Sequence, residues 1–357
     1  MKSYKVIIRT HTPVHIGNGN SITKKDFAII GDKAKIYDPV KLHSMNPSAY
    51  EDFMLGNERD SLTDYIKRES KTVRVSFDKA LKYEIELGNS RVRKYDNVAE
   101  FIKDPYGCPY IPGSSLKGAI RTAILASVVR KKQDSEDRYV DERRQTVAKG
   151  AKDIEKKVFG EILESKFRNI KISDSKPLST KDLLMCKKID LSVQGNENPI
   201  NICRESIKPG TEIEFTMSID GAHDNNWQKP WTAGSILASI KKFNEEYTKN
   251  FSEKFSKKQT KNLVEKYSAN DPYIYLGGGT GFGTKTINYA LYGDEALIKV
   301  SEFLAVEFGS RFKPDMHNHK KDPGLGVSPH MLKATEVGSN LLEMGICSIR
   351  MIENETI

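Results

Sequence analysis

Two hydrophobic periodicities alternate along this chain, and together they restrict the folds that it can adopt. Near the N-terminus, Tyr4, Val6 and Ile8 lie at every second position, which is typical of a strand with one buried face. Between Leu116 and Val128 the apolar residues recur three and four positions apart, which is typical of a helix. The two patterns do not follow one another at the regular spacing of a parallel doubly wound sheet. The sequence therefore predicts an α+β fold.

The same two patterns predict most of the remaining elements. The expected strands are a hairpin at 27–37, a projecting hairpin at 188–204, and single strands at 213–219, 273–276 and 344–352. The expected helices are one that begins near Gly113 with a serine as its cap, a solvated pair at 233–268 and a stretch at 285–308. Residues 130–165 are predicted to be an exposed insertion and 311–333 a basic loop, whereas 40–103 give mixed signals.

Composition narrows the class of protein. The chain has 357 residues, and 57 Lys and Arg against 48 Asp and Glu give a formal net charge of +9, which modestly favours a polyanionic partner. No apolar run approaches the roughly 20 residues of a membrane span, and the first residues are not an apolar signal core, so we expect a cytoplasmic protein. The four cysteines lie far apart without a C-x-x-C pair, which argues against a zinc cage or a disulfide scaffold.

The glycine cluster Gly277–Gly283 raises the question of nucleotide binding. A P-loop would need lysine directly after its last glycine, but Thr284 separates Gly283 from Lys285. The dinucleotide fingerprint G-x-G-x-x-G fails in every register. Since glycine lets backbone amides approach a partner closely, the cluster is either a loop that contacts an RNA backbone or a structural tight turn.

Two cations near the start of the expected helix suggest a phosphate site. Lys117 and Arg121 are four residues apart and therefore share one edge of the helix. Cations there oppose the helix dipole, and a bound phosphate would reverse the sign of that effect. The alternative is that both side chains extend into solvent and pair with carboxylates.

Three further features are candidates for chemistry. His15 lies in the loop after the first strand, where an imidazole could act as acid, base or stacking surface, although a lone histidine more often only hydrogen-bonds its loop. His317 and His319 form an H-x-H pair without acidic or cysteine companions, so a basic loop without a metal is expected. Asp26 at a strand start is expected to be a turn or cap residue. We expect no cofactor.

Five blocks of sequence are informative together. In chain order they are Thr12–Gly19, Tyr110–Arg121, Ile172–Pro177, Arg204–Thr211 and Gly277–Gly283. Their order and spacing resemble the RAMP superfamily of CRISPR-associated proteins. Within it the chain most resembles the subunit that caps the backbone filament of the type III-A Csm effector complex, at the end that holds the 3′ part of the CRISPR RNA.

This resemblance implies an architecture. It implies an RRM-like (ferredoxin-like) RAMP core over residues 1–222, with helical insertions near 130–165 and a projecting β-hairpin thumb near 188–204. Residues 223–357 would form a helical half that carries the glycine loop and completes the RAMP body, with a second ferredoxin-like unit as one option.

The resemblance also implies a function. The implied protein is a non-catalytic subunit that binds CRISPR RNA and supports guide maturation and antiviral defence. Its implied partners are target RNA, neighbouring backbone subunits and host 3′-trimming nucleases. No catalytic residue carries over, because Asp26 lacks the glycine-rich setting of the aspartate in the cutting subunit. The residues expected to bind RNA are His15, Lys117, Arg121, Lys188, Arg204, Gly277, Gly278, Gly279, Gly281, Gly283 and Lys285.

Two other functions stay open at this point. One is a metal-independent RAMP endoribonuclease that acts on the guide precursor, with His15 as acid and base on a 2′-hydroxyl. The other is a nucleotide-binding enzyme that uses the glycine cluster.

Overall fold

The computed structural model describes residues 1–56, 59–72, 76–133, 154–161, 165–220, 231–255, 272–309 and 318–354. Several expectations fall on other residues. Most of the insertion expected at 130–165, the second part of the helical pair expected at 233–268, and residues 311–317 of the expected basic loop lie outside the described residues.

The described residues form fourteen strands and, besides a helical stretch at 154–159, nine α-helices. The strands are β1 Lys2–Thr10, β2 Gly17–Ile22, β3 Phe27–Ile30, β4 Lys33–Tyr37, β5 Leu81–Leu87, β6 Asn97–Phe101, β7 Ile170–Ile172, β8 Leu183–Ser192, β9 Glu197–Ile207, β10 Glu212–Ile219, β11 Tyr273–Tyr275, β12 Met331–Val337, β13 Asn340–Glu343 and β14 Ile346–Glu353. The helices are α1 Pro39–Met45, α2 Pro47–Leu55, α3 Leu62–Thr72, α4 Gly113–Gln133, α5 Ala233–Tyr247, α6 Glu253–Phe255, α7 Asn288–Tyr292, α8 Ala296–Gly309 and α9 Asp322–Leu325. Residues 154–159 are also helical, and Thr248–Ser252 make a π-helical turn that joins α5 to α6.

A first sheet has β1 at its centre. Its order is β11-β14-β1-β10-β7, and all four pairings are antiparallel. Val6 and Ile8 of β1 are fully buried, and they share one core with Leu116 and Ile120 of α4. The alternation that predicted β1 and the helical spacing that predicted α4 therefore meet in one interior.

The second sheet is larger and mixed. Its order is β2-β6-β9-β8-β5-β4-β3, with parallel pairings between β5 and β8 and between β6 and β9. The strand β12 also pairs with β8, and β13 pairs with β12. Beside this sheet, α1, α2 and α3 enclose a small core in which the rings of Phe53 and Tyr65 stack 4.8 Å apart.

The hairpin expected at 188–204 is present as β8 and β9, and the structure adds how it is supported. Residues 184–185 of β8 pair with β5, and residues 189–192 pair with β12. On the other side, residues 202–204 of β9 pair with β6. The hairpin is therefore embedded in the second sheet along much of its length, and only residues near its turn extend past the neighbouring strands.

Most sequence-based elements are confirmed. The α+β class, the strands β1, β3, β4, β10, β11 and β14, and the helices α4, α5, α7 and α8 lie where the patterns placed them. The prediction of a loop through residue 333 is wrong, because β12 begins at Met331. The prediction of a serine cap for α4 is also wrong: the Gly113 amide donates to Asp174 Oδ1 at 2.8 Å, 61 positions away in the chain.

Strands from both parts of the chain share both sheets. In the first sheet β1 pairs with β14, and in the second β8 pairs with β12. The division of the chain near residue 222 stays a prediction. Within the described residues, none of the helices combines the length and the apolar character that crossing a bilayer requires.

Candidate nucleic-acid interface

The glycine loop Gly277–Gly283 lies against the segment that follows β1. The Gly278 amide donates to the His15 carbonyl oxygen at 2.7 Å, and the two residues form an isolated antiparallel bridge. A Cβ on Gly277 would stand 2.1 Å from that same carbonyl oxygen, closer than any side chain allows. Glycine at 277 is thus required for the close approach of two backbones.

The rest of the loop continues toward cationic side chains. Gly279, at φ +93°, would place a Cβ 3.1 Å from Arg204 Nη1, and Gly281, at φ +80°, would place one 3.5 Å from Lys333 Cγ. Gly283 packs on the ring of Tyr247. At Gly279 and Gly281 the loop therefore passes Arg204 and Lys333 with positive φ angles and without a Cβ of its own between them.

The cations come together through strand register. Arg204 of β9 is opposite Cys186 of β8, and Lys188 lies two positions further along β8, so both side chains are on the same face of the second sheet. Lys333 of β12 is opposite Asp190, again on that face. Lys285 follows the glycine loop. We call Lys188, Arg204, Lys285 and Lys333 the basic face.

The charges of the basic face are incompletely balanced. Desolvation, and then the Arg204 charge, lower the pKa of Lys285, although that residue is exposed as a whole. Desolvation also lowers the pKa values of Lys188 and Arg204, and the charges of Lys333 and Arg204 lower that of Lys188 further. Asp190 opposes these shifts, and its Oδ2 accepts a hydrogen bond from Lys333 Nζ at 2.8 Å. Neighbouring cations that repel one another in this way favour a bound anion.

The buried side chain of His15 holds the segment that contacts the glycine loop. It is 5% exposed, and its Nδ1 lies 2.6 Å from the carbonyl oxygen of Glu205. Since a carbonyl only accepts, Nδ1 carries the proton. Burial lowers the pKa of His15 to about 4. The imidazole is therefore neutral at pH 7, and it fixes the segment on which the glycine loop rests.

A fully buried carboxylate anchors β9, the strand that carries Arg204, from the opposite face of the sheet. Glu205, next to Arg204, accepts hydrogen bonds from Lys103 Nζ at 2.6 Å, Tyr83 Oη at 2.8 Å and the Phe101 amide at 2.9 Å. A buried charge with this many partners is compensated rather than reactive. It holds β9, and hence Arg204, in place.

Lys117 and Arg121 form a separate cluster on α4. Lys117 Nζ lies 5.2 Å from the ring centroid of Phe167, and Arg121 Nη2 pairs with Glu155 Oε1 at 2.6 Å. Burial, and then the Arg121 charge, lower the pKa of Lys117. Arg121 is thus paired with a carboxylate, which is the alternative to a phosphate site. The first amide of the helix, that of Gly113, already donates to Asp174.

Two residues of the site were missed by sequence reasoning. Lys333 and Asp190 meet across the β12–β8 pairing although they are 143 positions apart. The buried Leu332 and Ala334, which alternate with Met331 and Lys333, are the signal that could have identified the strand. Asp26, in contrast, is the turn residue that was expected, since its Oδ2 accepts hydrogen bonds from the Thr23 amide and hydroxyl.

Comparisons with known proteins agree with this architecture. The family model of the RAMP superfamily matches residues 7–284. The curated CRISPR system Cms protein Csm5 of Mycobacterium tuberculosis strain CDC 1551 / Oshkosh is 27% identical over 99% of this chain and 99% of its own length. The Csm5 protein of Streptococcus thermophilus is 29% identical over 80% of each chain.

Two solved structures share the fold. One is a chain of the cryo-EM structure of a type III-A Csm–crRNA–target RNA ternary complex, with a TM-score of 0.69 and 20% identity over 97% of this chain and 100% of that one. The other is the crystal structure of T. onnurineus Csm5, with a TM-score of 0.65 and 19% identity over 96% and 99%. Because the family model spans residues 7–284, well over half of the sequence, this chain belongs to the RAMP superfamily.

Proposed function

We propose that the chain is a non-catalytic RNA-binding subunit of a type III-A Csm effector complex, and that it caps the backbone filament at the guide 3′ end. Similarity to Csm5 proteins along nearly the whole length supports membership of such a complex. The observation that carries the RNA-binding part is the convergence of Arg204, Lys188, Lys285 and Lys333 beside the glycine loop.

The binding mode follows from that geometry. A phosphodiester over the basic face would relieve the repulsion among the cations and accept hydrogen bonds from backbone amides of the glycine loop. Such contacts position RNA without reading its sequence, and they weaken as salt rises. Lys117, beside Phe167, is proposed as a second and weaker guide contact, because Arg121 is already paired with Glu155.

The partners in this proposal follow from the complex. They are CRISPR RNA, target RNA beside the β8–β9 hairpin, the neighbouring backbone subunit and host 3′-trimming nucleases, in the cytoplasm. The endoribonuclease alternative has weaker support. It needs His15 as acid and base at a 2′-hydroxyl, but His15 is 5% exposed and its Nδ1 proton is engaged by Glu205.

A charge-matched pair of variants tests the proposal. Lys285→Ala with Lys333→Ala should weaken binding of a labelled single-stranded guide RNA. It should also flatten the dependence of log K on log salt by roughly 1.4, since each phosphate contact with a single strand contributes about 0.7. Fluorescence anisotropy across a salt series, on the purified chain and on the reconstituted complex, measures both effects.

The matched control is Lys2→Ala with Lys5→Ala. These two lysines pair with Glu353 and Glu214 on the first sheet, and their removal lowers the net charge by the same amount. Equal losses of affinity in the two double variants would refute a localised site. Discrete cleavage of guide precursor in EDTA, abolished by His15→Ala, would favour the endoribonuclease instead.

A further inference from the structure

A compact cluster of two histidines and one carboxylate lies outside the basic face. His319 is in a 3₁₀ turn, Asp322 begins α9, and His330 directly precedes β12. His319 Nδ1 lies 2.9 Å from Asp322 Oδ2, and His330 Nδ1 lies 2.6 Å from Asp322 Oδ1. Ser328 Oγ donates to Asp322 Oδ2 at 2.7 Å. Both imidazoles thus converge through the same ring nitrogen on one carboxylate.

We propose that His319, Asp322 and His330 bind a divalent transition-metal ion, with Zn²⁺ as the best fit. One ligand atom from each residue can be chosen so that all lie within 4.8 Å of one another. Tetrahedral zinc, with bonds of about 2.0–2.1 Å to imidazole, holds neighbouring ligand atoms roughly 3.3 Å apart. The His319–Asp322 contact, at 2.9 Å, and the His330–Asp322 contact, at 2.6 Å, would open by roughly 0.4 and 0.7 Å to admit the ion.

The ligand set determines the class of metal. Two imidazole nitrogens and one carboxylate oxygen suit zinc and its first-row neighbours, whereas Mg²⁺ and Ca²⁺ prefer oxygen alone. Three protein ligands leave one tetrahedral position for water or another donor. Ser328 would orient the carboxylate as an outer-shell partner.

The alternative is a hydrogen-bonded trio without a metal, in which each Nδ1–H donates to the carboxylate. Burial favours the metal. Asp322 is 0% exposed and His319 is 5% exposed, and among the described residues the ion pairs of Asp322 are with histidines and not with lysine or arginine. A divalent cation would supply the positive charge that a buried carboxylate needs.

The cluster lies next to the β8–β9 hairpin and to β12, so a bound ion would have a structural role there. The carbonyl oxygen of His330 accepts from the Val193 amide, at the turn of the β8–β9 hairpin, at 3.2 Å. The next residues form β12, which carries Lys333. A metal bound here would fasten the segment 319–330 to the tip of the hairpin and to the edge of the basic face.

Metal titration of the full chain tests this inference. The chain, purified without a histidine tag and stripped with a chelator, should bind one Zn²⁺ per molecule by calorimetry and should not bind Mg²⁺ at this site. Co²⁺ should give the intense visible absorption of a tetrahedral site. His319→Gln and His330→Gln should each weaken zinc binding beyond the ~10–100-fold that loss of an outer-shell partner costs.

His43→Gln is the matched control, because His43 also pairs with a carboxylate, Glu51, but on an exposed helix pair. It should leave zinc binding unchanged. Zinc affinity that is the same in His319→Gln, His330→Gln and the wild type would overturn the inference. If either variant fails to fold by circular dichroism, the wild-type Co²⁺ spectrum decides, and absence of tetrahedral bands rejects the site.

Discussion

At the scale of single residues, the glycine loop rests on a buried acid. Glu343 and Tyr247 are 4% and 1% exposed and are hydrogen-bonded to each other. Tyr247 packs under Gly283, and Met344, the residue after Glu343, packs under Gly279. Burial raises the pKa of Glu343 to about 7, although the hydrogen bond from Tyr247 opposes the shift.

This shift predicts how stability depends on pH. Unfolded glutamate titrates near 4.3, so between about pH 4.5 and pH 7 the folded chain holds a proton that the unfolded chain has released. The free energy of unfolding should fall as pH rises through that window and level off above about pH 7. Glu343→Gln removes this loss and should stabilise the chain at pH 8 by on the order of 3 kcal/mol.

Urea unfolding at a series of pH values measures the effect. The gain of Glu343→Gln over the wild type should vanish near pH 4.5. Glu51→Gln, on the exposed helix α2, serves as the control and should show no such trend. Parallel pH curves for Glu343→Gln and the wild type would mean that Glu343 is not the responsible group.

At the scale of elements, the glycine loop combines two distinct requirements. Gly277, Gly279 and Gly281 all have positive φ, but their surroundings differ. A Cβ at 277 meets a backbone carbonyl at 2.1 Å, whereas a Cβ at 281 meets only Lys333 Cγ at an ordinary 3.5 Å. Conformation alone demands glycine at 281, while conformation and lack of space demand it at 277.

Alanine substitutions should separate the two requirements. Gly281→Ala should cost roughly 1–2 kcal/mol, the penalty of a left-handed alanine. Gly277→Ala should cost clearly more or prevent folding, because the His15 carbonyl cannot move without breaking the bridge to Gly278. Urea unfolding of both variants provides the comparison, and equal losses would show that the backbone contact at 277 is not constraining.

Elements with a strong internal pattern were predictable, and those defined by distant partners were not. The strand β1 and the helix α4 carry their own apolar periodicity, so the sequence identifies them. The Asp174 cap of α4 has no local signal, because it comes from 61 positions away. In the strand β12 only Leu332 and Ala334 alternate as buried apolar residues with Met331 and Lys333, which is too short a pattern to stand out in the sequence.

The candidate site divides in the same way. Arg204, Lys188, the glycines and Lys285 were predicted from the sequence, and the structure brings them together beside His15. Lys333 and the trio around Asp322 depend on strand pairing and turn geometry, which one-dimensional spacing does not encode. His319 was visible in the sequence, but its companions at 322 and 330 were not recognised as such.

At the scale of the whole molecule, the two parts of the chain are interleaved. The first sheet needs β14 beside β1, and the second needs β12 beside β8. Each part on its own would leave unpaired strand edges and an open core. We therefore predict that the two parts on either side of residue 222 fold together.

Expression of the parts tests this. Residues 1–222 and 223–357, made separately, should lack cooperative urea unfolding, whereas their coexpression should restore it. The control is the full chain with a protease site inserted within 221–230, which should stay folded after cleavage. Cooperative unfolding of 1–222 alone would instead establish an autonomous domain.

The pairing of β1 also has a consequence for biosynthesis. Asn354 hydrogen-bonds Ser3, 351 positions away, next to the β1–β14 ladder. At a translation rate of roughly 5–20 residues per second, a ribosome makes β1 tens of seconds before its last neighbour emerges. During that interval the edge of β1 that later binds β14 is open to other chains. Newly made chains should therefore depend on chaperones that bind unfolded protein. Several nascent chains on one messenger RNA should be prone to misassemble with one another.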